Sequence, residues 1–285
     1  GDRVEKYQVL TAPGAGAPEV CSPMAGIVED IRPLQVPLEG SVLCARLRVS
    51  GEKQDGDSPQ NGKKKSRGKK KETSLDRADI LRMAEKAGIR DEFDGTPLPL
   101  LAERFRSSGV KVLVGCGLDD DPYGDSSGAV LRECAREAAE GLRLFALACG
   151  AQRSMLAATS FYTWRRVVAS EKETPVVSMG GRTPARGVLA GKLRRSVGKA
   201  GFVGIQACVA LYRAAREGIP QTETVVTVSG DGVWKPGNLR VPVGTPIEVL
   251  LNRCGVLPDT KLVYIGPAIA GEAVTDLTLP VTQRT

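Results

Sequence analysis

The chain has 285 residues, 41% of them apolar, which is enough for two or three small domains each with its own core. It contains no histidine, which excludes Ser-His-Asp and Cys-His catalysis and every His-containing zinc site. The formal charge of +7 is the charge of one stretch: Lys63–Lys71 carries seven cations and no anion, and the rest of the chain is neutral overall, so the basicity is not a property of the folded parts and weakens a nucleic-acid reading.

The chain starts Gly1-Asp2-Arg3 without an initiator Met, which reads as a processed or engineered fragment, and no secretory signal is present. Residues 2–50 read as short strands and turns. Val20–Ile31 alternates around a Pro-x-x-Gly turn. In Ser41–Val49 the period of two puts Leu43, Ala45, Leu47 and Val49 on one face and Arg46 and Arg48 on the other. Residues 51–74 have no apolar side chain besides Pro59, cannot offset their ordering entropy, and read as a disordered linker. The Lys63–Lys71 tract within it suits a nucleic acid, an anionic membrane surface or an acidic partner by charge. It has no aromatic side chain to stack on bases, and it reads first as a solubilising linker.

Residues 75–88 predict a helix capped by Ser74 and stopped by Gly88. Val110–Val114 predicts a strand. Ser127–Cys149 predicts one helix, with Val130, Cys134, Ala138, Leu142, Phe145 and Cys149 at 3–4 spacing. Met155–Ala158 and Pro175–Met179 are further strands. This order suggests a right-handed βαβ unit in a parallel sheet. Phe202–Glu217 predicts a buried helix ended by Gly218; its apolar run, Phe202–Tyr212, is about half of the ~20 residues that span a bilayer. Thr224–Ser229, Leu239–Val243 and Leu262–Ile265 predict strands, with a helix over Pro246–Cys254, an α+β order of β-grasp type.

The seven cysteines, Cys21, Cys44, Cys116, Cys134, Cys149, Cys208 and Cys254, form no CxxC, so the tight spacing of a zinc ribbon or a ferredoxin-type cluster is missing. Most stand in apolar runs and read as buried free thiols in a reducing cytoplasm.

Thr222–Asp231 followed by Lys235-Pro236-Gly237-Asn238-Leu239-Arg240-Val241-Pro242-Val243-Gly244-Thr245-Pro246 resembles the C subunit of the Rnf electron-transport complex and its relatives. These include the cobalamin reductase of propanediol degradation and, more remotely, the NADH-binding flavoprotein subunit of respiratory complex I. The segment corresponds to the family's soluble-ligand-binding β-grasp module, and Gly266–Gly271 to its following glycine-proline turn. Upstream, Gly1–Leu10 and Ser22–Val28 resemble a lipoyl-like barrel-sandwich hybrid, with no Lys at the modification position. Asp79–Thr159 corresponds to the family's Rossmann-like nucleotide-binding α/β domain.

The resemblance therefore implies a multidomain α/β and α+β chain. Residues 1–50 would be a partial lipoyl-like module, 51–74 the basic linker, 75–221 the complex-I-flavoprotein-like α/β domain and 222–285 the β-grasp domain. It implies an electron-transfer subunit with FMN and NADH as cofactors. The family's ferredoxin-type cysteine clusters lie beyond Thr285, so no iron–sulfur cluster is expected in this chain. Other electron-transport subunits or an acceptor protein are the implied partners, with no nucleic acid. A cytoplasmic location is implied, with peripheral attachment to the membrane's inner face through the complex.

The implied cofactor-binding residues depart from the family in three places. Where the family has a glycine-rich phosphate loop, this chain reads Gly88-Ile89-Arg90-Asp91-Glu92-Phe93-Asp94-Gly95-Thr96-Pro97-Leu98, and its carboxylates would repel a phosphate. That stretch reads as a plain surface loop. The family's acidic Pro-Tyr loop survives in part as Val114-Gly115-Cys116-Gly117-Leu118-Asp119-Asp120-Asp121-Pro122-Tyr123. Its Gly115, Gly117, Asp119, Asp120, Asp121 and Tyr123 are candidate nucleotide contacts. The alternatives are a solvated acidic turn capping a helix at Ser126 and Ser127, or a Ca²⁺ loop without EF-hand spacing. Gly180, Gly181 and Arg182 are candidates for an anion. The carboxylate after the family's second strand is missing, with Ser160-Phe161-Tyr162-Thr163-Trp164 in its neighbourhood. No catalytic residue and no metal ligand is assigned. Two functions remain open: an electron-transfer subunit acting as a flavin-dependent NADH:acceptor oxidoreductase component, or a non-catalytic docking or ligand-binding protein that keeps the architecture without the cofactor.

Overall fold

A computed structural model of the chain describes residues 1–11, 18–49, 75–119, 121, 123–158, 160–178, 198–267 and 271–285. The Lys63–Lys71 tract and the rest of the linker lie outside these residues. Strand β1 (Arg3–Val4) pairs with β2 (Gly26–Val36), which forms a long antiparallel hairpin with β3 (Gly40–Val49). The expected apolar face of β3 is not buried among the described residues: Leu43 is 70% exposed and Val49 44%. The hairpin is held at its turn instead. Val36 is buried, and Leu38, in the turn with φ +65°, packs against the C-terminal core.

The middle of the chain carries a four-stranded parallel sheet of β4 (Val112–Gly117), β5 (Arg153–Ala158), β6 (Val176–Ser178) and β7 (Ala200–Gly204), in the order β6-β5-β4-β7. Every residue of β4 is buried, as a central parallel strand requires. Helices α1 (Arg77–Lys86), α2 (Leu98–Ser107), α3 (Ser126–Glu133), α4 (Ala135–Cys149), α5 (Phe161–Ser170) and α6 (Ile205–Glu217) contribute to one large core with Leu113 and Leu156 of the sheet. Val112, Val114, Cys116, Leu118 and Ala157 form a smaller cluster with Phe93 and Phe202.

Two expectations are corrected here. The single helix over Ser127–Cys149 is two helices, broken at Cys134 (φ −118°, ψ 34°), so that α3 reaches the next unit while α4 lies along α6. The helix expected from Phe202 begins at Ile205, because Ala200–Gly204 is the edge strand β7. Its apolar run hid the change of element: Phe202 and Val203 fit a buried strand as well as a buried helix. Helices α2 and α5 had no sequence-based expectation. The α5 N-terminus does carry a readable cap, since Ser160 Oγ accepts the N–H of Thr163 at 3.1 Å.

The last part runs β8 (Glu223–Val228), β9 (Gly237–Pro242), α7 (Ile247–Cys254), β10 (Val263–Ile265) and β11 (Glu272–Val274). Its strands pair as two antiparallel ladders, β8 with β9 and β10 with β11, around a core of Val226, Val228, Ile247, Leu250, Cys254, Ile265, Val274 and Val281. Among the described residues, no helix is long and apolar enough to cross a membrane.

Candidate functional site: the carboxyl edge of the parallel sheet

Open parallel sheets bind ligands at the carboxyl ends of their strands, where helix N-termini offer unpaired N–H groups. Three helices start at this edge: α3, after β4; α5, after β5, whose first turn is capped by its own Ser160; and α6, which follows β7 directly. The sequence candidates belong to the loop between β4 and α3. Gly115 and Gly117 are buried in β4, and the space a Cβ would take is already used. At Gly115 it would stand 3.0 Å from Leu156 Cδ2 and 3.1 Å from Leu142 Cδ2; at Gly117, 2.3 Å from Leu131 Cδ2. Both glycines thus let core side chains close on the strand.

Asp119 turns back onto α3. Its Oδ1 accepts Ser126 Oγ at 2.9 Å and Ser127 N–H at 3.1 Å, and its Oδ2 takes Gly128 N–H at 3.4 Å. It stands where the helix dipole favours an anion. Burial nevertheless pushes its carboxyl above the usual range, and these hydrogen bonds only partly offset that. Asp121 Oδ1 accepts Tyr123 N–H at 2.7 Å, and the Tyr123 ring is 68% exposed at the mouth of the loop. The structure brings Asp119, Asp121 and Tyr123 into one turn. Asp120, Gly180, Gly181 and Arg182 lie outside the described residues.

The N-terminus of α6 is filled from far away in sequence. Asp91 Oδ1 accepts Gly204 N–H at 2.7 Å. Glu92 Oε1 accepts Gln206 N–H at 2.8 Å, and Glu92 Oε2 accepts Ala207 N–H at 3.1 Å. The segment expected to be a surface loop is therefore packed: Asp91 is 2% exposed, and Ile89 is fully buried. A Cβ on Gly204 would stand 1.9 Å from Glu92 Cδ, so the carboxylate lies directly against the glycine backbone. Desolvation, and then the charge of Asp91, push the Glu92 carboxyl up to about 8, against the pull of the backbone N–H groups. Sequence reasoning saw these acids as repelling a phosphate but missed their destination.

The implied FMN and NADH bring phosphates, and the residues described at the N-termini of α3 and α6 do not fit one. The N–H groups that would receive it at α3 are held by Asp119, and those at α6 by Asp91 and Glu92. A phosphate at either place would have to displace a carboxylate and then stand beside it. Among the described residues, no group of three or more Cys, Asp and Glu side chains converges as a metal-ion set.

The signature of the last segment has a definite structural task. Thr227 Oγ1 accepts Asp125 N–H at 3.0 Å and donates to Asn238 Oδ1 at 2.7 Å, while Asn238 Nδ2 donates to the Asp125 carbonyl at 3.5 Å. Asp125 is the N-cap residue of α3, and its carboxylate pairs with Arg132, whose Nη1 also donates to Thr163 Oγ1 at 3.1 Å. The Asn of the Lys-Pro-Gly-Asn motif thus braces the loop that carries the sequence candidates. A cleft of about 300 Å³ lies between α6 and β8, with Gln206, Arg213, Thr222, Thr224 and Arg240 on its walls and the Arg213–Glu137 ion pair (3.4 Å) inside it.

No protein-family model matches the chain. Two solved structures of an NAD⁺-reducing NiFe hydrogenase, in the air-oxidized and the H2-reduced state, are similar to it in fold. Each has a TM-score of 0.57 at 17% identity over 73% of this chain. The chain spans 44% and 45% of the length of the hydrogenase chains it matches. A mixed α/β chain with one parallel and several antiparallel sheets, similar in fold to part of an NAD⁺-reducing hydrogenase, is what sequence, structure and comparison jointly establish.

Proposed function

We propose that this chain is a subunit of an electron-transfer oxidoreductase assembly that keeps the architecture of a nucleotide-binding subunit and docks other subunits without binding the nucleotide itself. On this reading residues 1–50 are a lipoyl-like module, 75–221 a Rossmann-like α/β domain and 222–285 a β-grasp domain. The 51–74 linker marks the boundary between the first two. The motif resemblance to the Rnf C subunit supports the assembly, and the likeness to a hydrogenase chain supports the same class of fold. The observation that carries the loss of cofactor is the filling of α6 by Asp91 and Glu92. The partners are other electron-transport subunits, with a cytoplasmic site and membrane attachment only through them.

The test is a titration of the purified chain with FMN and with NADH, followed by calorimetry and by flavin absorbance. The expected result is colourless protein and no saturable heat up to about millimolar ligand. Flavin that co-purifies or binds saturably overturns the reading. The chain would then be a flavin-dependent NADH:acceptor component, a second reading favoured by the exposed Tyr123 ring beside Asp121, where a planar cofactor could stack.

A further inference from the structure

We propose that the Glu92 carboxyl, with Asp91 beside it, is a resident stand-in for an external oxyanion: its two oxygens take the place of a phosphate or carboxylate at the first turn of α6, and the turn is built around them. The inference rests on the nucleotide-free reading above and specifies what replaced the ligand at that edge.

Glu92 is no local helix cap. It comes from a segment 114 residues before Gln206, and it presents both oxygens to two successive N–H groups, as a bound oxyanion would. A third N–H, of Gly204, goes to Asp91. The receiving backbone is shaped for the carboxylate, because any side chain at 204 would occupy its position. The delivering segment is fixed at both ends. Arg90 N–H donates to Gln221 Oε1 at 2.8 Å and Asp91 N–H to the Thr96 carbonyl at 2.9 Å. The N–H of Gly95 returns to the Asp91 carbonyl at 2.9 Å. Arg90 Nη1 closes the turn on the Gly95 carbonyl at 3.0 Å. A segment tied in this way holds its carboxylates at α6 permanently.

If the carboxylate substitutes for a ligand, removing it should leave a place that small oxyanions fill. The full chain carrying Glu92→Gly is compared with the unaltered chain by thermal unfolding in sodium acetate, sodium phosphate and sodium chloride at matched ionic strength. The unaltered chain should have the same Tm in all three. Glu92→Gly should melt roughly 5 °C lower in chloride and recover about half of that loss in acetate or phosphate. Glu92→Gln, whose amide still fills the space, should melt lower without recovering. Acetate recovery alone identifies a planar carboxylate place, and phosphate recovery one that also admits a tetrahedral oxyanion; either supports the proposal. A Glu92→Gly chain that melts alike in all three salts, or that responds no more than Glu92→Gln, overturns it. If Glu92→Gly does not fold in chloride, the yield of folded chain on refolding in acetate is read instead, and no gain overturns the proposal. FMN binding to the unaltered chain would sink the nucleotide-free reading, whereas salt-blind Glu92→Gly would sink this inference alone.

Discussion

Gly141 of α4 lies against Cys208 of α6 so closely that a Cβ on the glycine would stand 1.8 Å from the Cys208 carbonyl oxygen. The obstacle is helix backbone, which cannot rotate away as a side chain can. An exposed Gly→Ala change within a helix gains about 1 kcal/mol. Here overpacking costs about 3 kcal/mol and decides the sign. Gly141→Ala is expected to lower stability by about 2 kcal/mol net, read as a shift of the urea midpoint with an unchanged slope. A midpoint at or above that of the unaltered chain would show that the two helices separate easily.

Thr227→Val keeps the shape of the side chain and deletes the hydroxyl that joins Asp125 to Asn238. The N–H of Asp125 then loses its partner at the start of α3, a loss of about 1–2 kcal/mol. Asn238→Ala removes the weaker, 3.5 Å bond to the Asp125 carbonyl and should cost less. A double variant whose loss falls well short of the sum would confirm that the two side chains work as one brace, as a double-mutant cycle reads directly.

The pH dependence of stability has a sign set by Glu92. Its carboxyl is raised in the folded chain, to about 8, by burial and by the charge of Asp91, so the folded state holds a proton that the unfolded chain has released. The contribution is complete below the ordinary carboxylate range and is lost as the pH rises through about 8. Burial raises Asp119 as well and adds a slope of the same sign. Urea unfolding at about pH 5 and about pH 8 should give the higher midpoint at the lower pH, and Glu92→Gln should flatten the difference. A midpoint that climbs with pH would contradict the buried placement of this carboxyl.

The thiols should divide into two classes. Cys21, Cys44 and Cys134 are partly exposed, while Cys116, Cys149, Cys208 and Cys254 are buried. Burial pushes Cys149 up to about 12 and Cys208 well above the ordinary thiol value, which starves both of thiolate. With a chromogenic disulfide reagent at neutral pH, Cys21 and Cys44 should react first, and Cys149 and Cys208 only on denaturation. Fast labelling of Cys208 in the native chain would mean that α4 and α6 part.

What the sequence disclosed followed the range of its signals. Helix α4 was readable because Ala138, Leu142, Phe145 and Cys149 repeat at helical spacing and Gly150 closes the turn with φ +73°. Helix α5 was not, because its outward residues Phe161 and Tyr162 are themselves aromatic, each 63% exposed, and blur the polar face that an amphipathic pattern needs. The acidic loop after β4 was half legible: the alternative of a turn capping a helix at Ser126 and Ser127 matches what Asp119 does, although that carboxylate is more enclosed than a solvated turn implies. Asp91 and Glu92 were visible as charges, but their partners at Gly204–Ala207 lie more than a hundred residues away, and no local pattern carries such a pairing.

Gln206 is the residue at which these long-range ties meet. Its N–H is held by Glu92, while its side-chain amide donates to the Val225 carbonyl at 3.0 Å and accepts the Val225 N–H at 2.7 Å, completing β8 as if it were one more strand residue. The parallel sheet and the C-terminal ladders therefore share a hinge pin rather than a linker. Torque applied to either side is carried through this amide and through the Thr227–Asn238 brace on Asp125, so heat should melt the two halves in a single calorimetric transition.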